Sequence, residues 1–358
     1  MSPRRMVWLI LALAALAGAA HADEPARSLR LIAEAPSAAD PAPQHLVIDA
    51  LVKSESGEAQ STVEGWMASS AAPAASGEVS GSCVERHCAL TAEINGDKLS
   101  IVGDFGAPAG RVKARFTLKD DDGKLLQQGA VTLTPLTGAV PGLGPLAPPG
   151  ALTANQLDDL LMWVGETVAA GTRDPADPPD TFGRETLATW QEGKGRLATG
   201  LIFAQDLAEL RADADTARKT AGWTALGDAA KGWIAGYPAA LLPKASRAGA
   251  EQHFASADGK TRLLLVIDPP MSGEAFDTFV HTMTTDREGR TNTDYTRIND
   301  DLEMRYEEDG KVTLAAYHNR EGGLARMIFI YPTDASDAFK PFEAILQRSL
   351  KVGDALKR

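Results

Sequence analysis

The sequence is short of cysteine, of aromatic residues and of positive charge, and each shortage removes a class of function. Two cysteines in 358 residues cannot build a disulfide scaffold, an iron–sulfur site or a zinc cage made of thiolates. Aromatic residues make up 6% of the chain, too few for wide stacking surfaces against bases or long glycans. Acidic residues outnumber basic ones by 48 to 36, a formal net charge of -12, and such a chain repels phosphate backbones and anionic lipid headgroups. Neither nucleic acid nor, after processing, a membrane is expected as a partner. Catalytic signatures are missing too: there is no Gly-x-Ser-x-Gly elbow, His-Glu-x-x-His, Ser-x-x-Lys, Gly-rich phosphate loop or Ser-His-Gly-Cys segment. No cofactor and no metal centre are expected. His45, His87, His253, His281 and His318 are scattered singly, with His281 four residues after Asp277 as a helix-surface pair.

The long apolar run is at the start. Arg4 and Arg5 form a basic n-region, Met6 to Ala20 an apolar core of fifteen residues, and Ala20-His21-Ala22 places small residues where a signal peptidase reads them. Residues 1–22 are therefore expected to be a cleaved signal peptide. The run is short of the roughly 20 apolar residues that span a bilayer, and no cysteine lies near the cut for a lipoprotein anchor. Export changes the reading of Cys83 and Cys88, which have four residues between them in Cys83-Val84-Glu85-Arg86-His87-Cys88. In an oxidising compartment they can close a small disulfide across a turn between strands. A redox pair more usually has two intervening residues, and a metal site on Cys83, His87 and Cys88 lacks a fourth ligand nearby.

Residues 23–44 are rich in Ala, Pro, Asp and Glu and read as a flexible leader. From 45 to 137 short alternating runs predict strands at Leu46–Val52, Thr62–Met67, Val79–Val84, Ala89–Ile94, Lys98–Phe105, Val112–Leu118 and Gln127–Leu133, with Asn95-Gly96 and Asp122-Gly123 as turns. Seven strands at this spacing predict a β-sandwich. Asp120, Asp121 and Asp122 at a hairpin tip read as a solvated turn or a calcium site. The stretch 138–150, with Pro141, Pro145, Pro148 and Pro149, reads as a stiff linker.

Helical spacing begins at Thr153-Ala154-Asn155-Gln156, a capping box in which the threonine hydroxyl and the glutamine amide each satisfy a free backbone N–H. Leu157, Leu160, Leu161 and Val164 then form one apolar face. A second helix holds Leu187 and Trp190 and a third holds Leu207, Leu210, Ala214 and Ala217, with a tight Gly195–Gly200 turn between them. Trp190-Gln191, Gly195, Thr199-Gly200, Leu207 and Leu210 stand at the spacing of the second half of a known small domain. In these positions the segment 150–212 resembles the three-helix peptidoglycan-binding-like module. The first half departs from that pattern: Gly183-Arg184-Glu185-Thr186 sits three residues too close to Trp190, and Asp177-Pro178-Pro179-Asp180 replaces an Asp-Gly. The resemblance implies a glycan groove, with Arg184 and Gln191 as polar contacts and Trp190 as either sugar platform or core.

From Trp223 onward strands are expected at Arg262–Ile267, Leu302–Tyr306, Val312–His318 and Ala325–Tyr331. Phe276, Phe279, Val280 and Met283 lie on one helical face, and Ser336 opens a closing helix. The strings Tyr237-Pro238-x-x-Leu241-Leu242 and Phe254-x-Ser256-x-Asp258-Gly259 look like those of uncharacterised bacterial exported domains. In element order the segment is also similar to the PsbP-like α/β/α sandwich group, which is known mainly for binding and assembly roles.

The sequence thus predicts an α+β multidomain chain. Signal peptide 1–22 and leader 23–44 precede an N-terminal β-sandwich over 45–137. Linker 138–150, a central three-helix peptidoglycan-binding-like module over 151–222 and a C-terminal α/β sandwich over 223–358 follow. The expected function is that of an exported, non-catalytic protein of the bacterial cell envelope, periplasmic or secreted, that binds peptidoglycan through its central module. The alternatives are a cell-envelope enzyme with its active site in the C-terminal domain and an assembly or adhesion factor that binds envelope proteins.

Overall fold

A computed structural model describes residues 27–35, 44–54, 59–70, 74–94, 96–105, 110–168, 179–228, 232–285 and 287–353. The signal peptide expected over 1–22 lies outside them, as do Asn95 and Asp177. The chain is mostly β and divides into two compact units, Met1–Ala151 with Asp180–Asp206, and Leu152–Pro179 with Leu207–Arg358.

The predicted helices form: α1 (Ala154–Trp163), α2 (Thr181–Gly193) and α3 (Ala204–Ala221). Thr153 Oγ1 accepts from Gln156 N at 3.3 Å and Gln156 Oε1 accepts from Thr153 N at 3.0 Å, closing the capping box. Asp180 caps α2 by accepting from Gly183 N at 2.9 Å. They do not, however, make a separate three-helix module. Helix α2 and the loop after it belong to the first unit, whereas α1 and α3 from Leu207 onward belong to the second. The α+β reading with a helical module at its centre is corrected accordingly. A helix settles where its inward face finds partners, and those of α2 lie on the neighbouring β-structure.

That β-structure is the second correction. Strands β1 (Arg27–Ala35), β2 (Gln44–Ser54), β3 (Gln60–Ser69), β4 (Ser76–Val84), β5 (His87–Ile94), β6 (Asp97–Asp104), β7 (Val112–Lys119) and β8 (Leu125–Pro135) form a closed antiparallel barrel, not a sandwich. Each strand pairs with the next, and β8 returns to β1 at Leu31↔Pro135 and Ile32↔Thr134. The closing strand β1 lies in the segment expected to be a flexible leader. Its alternating Leu29, Leu31 and Ala33 point into the barrel with Ile48, Val63, Val79, Leu90, Ile101, Val112 and Leu133, and closure removes the free edges of an open sheet. Where strands cross tightly no side chain fits: a Cβ on Gly65 would lie 2.4 Å from the Cα of Ala50.

Cys83 and Cys88 are opposite each other across the β4–β5 hairpin, with a Cα–Cα distance of 4.0 Å, and are joined in a disulfide. Both are buried in the barrel core. Asp120 acts as a turn residue, accepting from Lys124 N at 2.7 Å. The Pro/Gly stretch expected to be a linker instead forms β9 (Ala139–Val140) and β10 (Gly144–Pro145), and buries Val140 and Leu146.

The second unit holds β11 (Trp223–Asp228), β12 (Trp233–Pro238), β13 (Lys244–Ala248), β14 (Glu251–Ala255), β15 (Arg262–Asp268), α4 (Gly273–Thr284), β16 (Arg290–Ile298), β17 (Asp301–Glu308), β18 (Lys311–Arg320), β19 (Gly323–Pro332), α5 (Ser336–Phe339), α6 (Glu343–Ser349) and β20 (Lys351–Val352). Seven of these strands make one antiparallel sheet in the order β13-β14-β15-β19-β18-β17-β16, and β11-β12-β20 make a small second sheet. One face of the large sheet buries Leu314, Met327 and Phe329 against Phe339, Leu346, Leu350 and Val352. The other buries Leu302, Met304 and Tyr317 under Phe276 and Val280 of α4. Phe276 and Val280 are i, i+4 neighbours, as the sequence periodicity requires.

The disulfide closes a short loop, so on loop entropy it contributes about 2 kcal/mol. The double variant Cys83→Ala, Cys88→Ala is expected to lower the urea-unfolding free energy by about this amount, because two small apolar side chains remain in the core. An unchanged unfolding midpoint would show that the bond does not constrain the unfolded chain.

Candidate functional site

Arg184, Trp190 and Gln191 all lie on α2, and all three are buried, at 5%, 3% and 1% exposure. The structure gathers Arg184 and Gln191 around the loop that follows the helix. Gln191 Oε1 accepts from the backbone N–H groups of Thr199 and Gly200, both at 3.0 Å, and Gln191 Nε2 donates to the Leu201 carbonyl at 2.9 Å and to Asp206 Oδ2 at 2.6 Å. Arg196 pairs with the other oxygen of Asp206. One amide thereby holds a whole turn in place.

The turn in turn closes on the outside of the barrel. Trp66 Nε1 donates to the Thr199 carbonyl at 2.7 Å, and Trp66, Val47 and Ala68 are covered by Val140, Leu146, Leu201 and Phe203. Gly200 has φ +66, and a Cβ there would sit 2.8 Å from the Arg184 carbonyl oxygen and 2.9 Å from Trp66 Nε1. Only glycine meets both demands. Arg184 Nη1 donates to the Gly200 carbonyl at 3.4 Å, and Arg184 Nη2 lies 3.6 Å from Asp49 Oδ2, whose other oxygen accepts from Arg30 Nε at 2.8 Å. Burial pulls the Arg184 guanidinium below its ordinary value, and Asp49 opposes the shift. Trp190 is core, with Lys194 and Arg196 each 5.6 Å from its ring centroid. Arg184 and Gln191 hold the barrel's cover with their polar atoms turned inward.

The aromatic side chain of α2 that does reach solvent is Phe182, at 58% exposure. It follows Thr181, whose hydroxyl donates to Glu78 Oε2 of β4 at 2.7 Å. Phe182 stands at the first turn of α2, before the apolar period begins, and an exposed aromatic next to a cap gives no periodic signal.

A second polar group that sequence reasoning did not assemble lies on the second unit's sheet, on the side facing α6. Asp301, Glu303, Arg305 and Glu307 alternate along β17, and His318 faces Asp301 in register. His318 Nδ1 is 2.8 Å from Asp301 Oδ1, and Arg320 Nη2 donates to Asp301 Oδ2 at 2.7 Å. His318 Nε2 is shielded from solvent without a hydrogen-bond partner among the described residues. Burial by itself would raise the Asp301 carboxyl, but the adjacent His318 and Arg320 outweigh it and hold the group below its ordinary value. Burial raises Glu303, with His318 and Arg348 pulling it back and Asp301 adding to the rise. Chemically this is a histidine oriented through Nδ1 beside a carboxyl that resists ionisation. Asp277, expected to pair with His281, instead meets Arg297 of β16.

No family model matches the chain, and no curated protein matches it. Among solved structures the chain is similar to the solution structure of the cyanobacterial PsbP (CyanoP) of Synechocystis sp. PCC 6803, at 17% identity over 36% of this chain and 92% of that one, with a TM-score of 0.25.

Two outcomes follow from the geometry. Gln191→Ala removes the shared partner of five groups and is expected to cost roughly 3 kcal/mol, since each buried donor or acceptor left unmatched costs about 1–3 kcal/mol and part of the loss is recovered by relaxation. Chemical denaturation measures it, and a loss under about 0.5 kcal/mol would show that the loop holds without the amide. For Glu303 the sign runs with pH. A carboxyl whose folded-state value is raised favours folding below its unfolded value and loses that contribution as pH rises through the folded value. Glu303→Gln is therefore expected to raise the unfolding midpoint near neutral pH and to leave it unchanged at about pH 3, where both forms are neutral. An equal shift at both pH values would assign the effect to packing.

Proposed function

We propose that the chain is an exported, non-catalytic protein of the bacterial cell envelope that contacts the wall through the exposed end of α2 on its barrel unit. Export is supported by the signal-peptide pattern of residues 1–22 and by the Cys83–Cys88 disulfide, since such bonds persist in oxidising compartments. Peptidoglycan as the ligand class rests on the sequence resemblance at Trp190-Gln191, Gly195 and Thr199-Gly200 alone, since the three helices do not form that module's separate unit. The single observation that carries the contact is Phe182, an exposed aromatic on the helix that bears the Trp190-Gln191 signature. Arg184 and Gln191, on the same helix, act as the framework that holds it.

Among the described residues no helix is long and apolar enough to cross a membrane. The net charge of -12 argues that wall contact is not bulk attraction to wall carboxylates, so binding should survive moderate salt.

The test is sedimentation of the full mature chain with purified sacculi. The parent protein is expected in the pellet at low and moderate salt, and Phe182→Ala is expected to stay largely in the supernatant with its unfolding free energy within about 0.5 kcal/mol of the parent, as for a surface change. Parent protein remaining in the supernatant at low salt would overturn the wall reading and leave envelope proteins as the partners. Muropeptides altered by incubation with the protein would overturn the non-catalytic one.

A further inference from the structure

The face of the large sheet that carries α4 has a group of cationic and phenolic side chains that the wall reading does not use. Tyr306 of β17 and Tyr317 of β18 belong to one cluster with Met304, Ala315, Met283 and Ile328. Tyr317 is 3% exposed, meets Phe279 edge-on with centroids 4.9 Å apart, and faces Arg326 directly across the β18–β19 register. Arg326 is paired, its Nε 2.5 Å from Asp268 Oδ2. Arg290 is not. Its guanidinium stacks on Tyr306 with 3.9 Å between Cζ and the ring centroid, and Nη1 donates to the Met283 carbonyl at 2.9 Å. The Nε of Arg290 is shielded from solvent and has no hydrogen-bond partner among the described residues. Glu308, opposite it in the β16–β17 register, makes no ion pair with it among the described residues.

Burial pushes the Tyr317 phenol up to about 12, with Tyr306 adding to the rise and Arg326 and Arg290 opposing it. Arg326 faces Tyr317 across the register and Arg290 lies on Tyr306 of the adjoining strand, so one sheet face carries both guanidinium groups and a phenol that keeps its proton. A half-buried guanidinium without a counter-charge is costly, and a planar fork beside a phenol donor matches the oxygens of an anion.

We propose that Arg290, Tyr317, Tyr306 and Arg326 form a binding site for a small oxyanion group, a carboxylate or a phosphate, on the α4 face of the C-terminal unit. Arg290 supplies the unpaired charge and Tyr317 a neutral donor. Arg326 adds field while remaining paired with Asp268, and the Tyr306 ring fixes the plane of the Arg290 fork. The apolar side chains of Met283 and Ile328 suit an anion carried on an apolar body.

Isothermal titration of the full mature chain, at constant ionic strength with chloride as the background anion, tests this with acetate and inorganic phosphate as separate probes. Saturable binding of either probe is expected, acetate identifying a carboxylate site and phosphate a phosphate site. Arg290→Gln is expected to abolish it. Tyr317→Phe keeps the buried ring and removes only the hydroxyl, so it should leave thermal unfolding near that of the parent and weaken binding about tenfold, the worth of one hydrogen bond to a charged partner. Because that variant retains its packing, it decides the matter even if Arg290→Gln loosens the fold. Absence of saturable binding by both probes, or undiminished binding by Tyr317→Phe, would overturn the proposal.

Discussion

The first unit is organised by the need to cover an apolar patch on the outside of its barrel. Alternate residues of a strand point to opposite faces, so Val47, Trp66 and Ala68 point away from the core that Ile48 and Met67 help to fill. The indole of Trp66 also carries an N–H that needs an acceptor once buried. The chain meets both demands with two distant segments: 139–146 lays Val140 and Leu146 on the patch, and 199–203 brings Leu201, Phe203 and the Thr199 carbonyl. A cover made of loop has backbone groups to satisfy, and the Gln191 amide satisfies those of Thr199, Gly200 and Leu201. The placement of α2 with the barrel, and the burial of Arg184 over Asp49, follow from that requirement.

Closure of the barrel is a related constraint. Seven strands with one apolar face can be read as two stacked sheets or as one curled sheet, and alternation alone does not separate them. The eighth strand decides, since β1 pairs with β2 along nine residues and meets β8 at Leu31 and Ile32. With the inner face filled by Leu, Ile, Val and Ala side chains and the Cys83–Cys88 bond, the barrel is a packed body, and its contacts with other molecules fall to its outer surface. Phe182 is exposed there because α2 is held from its inward side by Arg184 and Gln191.

The second unit sorts polar groups by sheet face. On β17 the odd positions Asp301, Glu303, Arg305 and Glu307 alternate with Leu302, Met304 and Tyr306. The odd set meets His318, Arg320 and Glu343 on one side. The even set joins Tyr317 and α4 on the other, where Arg290 lies on Tyr306. A strand with period two therefore builds two chemically different surfaces from eight consecutive residues, a carboxylate and histidine group on one face and an arginine and tyrosine group on the other.

Local chemistry was legible in the sequence: the Thr153–Gln156 capping box, the apolar face of α4, most strand positions, and the short loop that pairs Cys83 with Cys88 depend on neighbours within a few residues. Trp190-Gln191 and Thr199-Gly200 stood out in the sequence only through a resemblance, which offered Gln191 to a ligand and not to that turn. What only the tertiary structure decided is direction and partnership. Whether Gln191 faces a ligand or its own loop depends on Trp66, more than a hundred residues earlier. Whether residues 27–35 are leader or strand depends on β2 and β8, and their Leu29-x-Leu31-x-Ala33 alternation is too short to stand out alone. The pairing of Asp301 with His318 and the stacking of Arg290 on Tyr306 arise from sheet register, which turns and burial set jointly. Periodicity specifies which face of an element is apolar, but the identity of the covering surface is a long-range property that no window of the sequence contains.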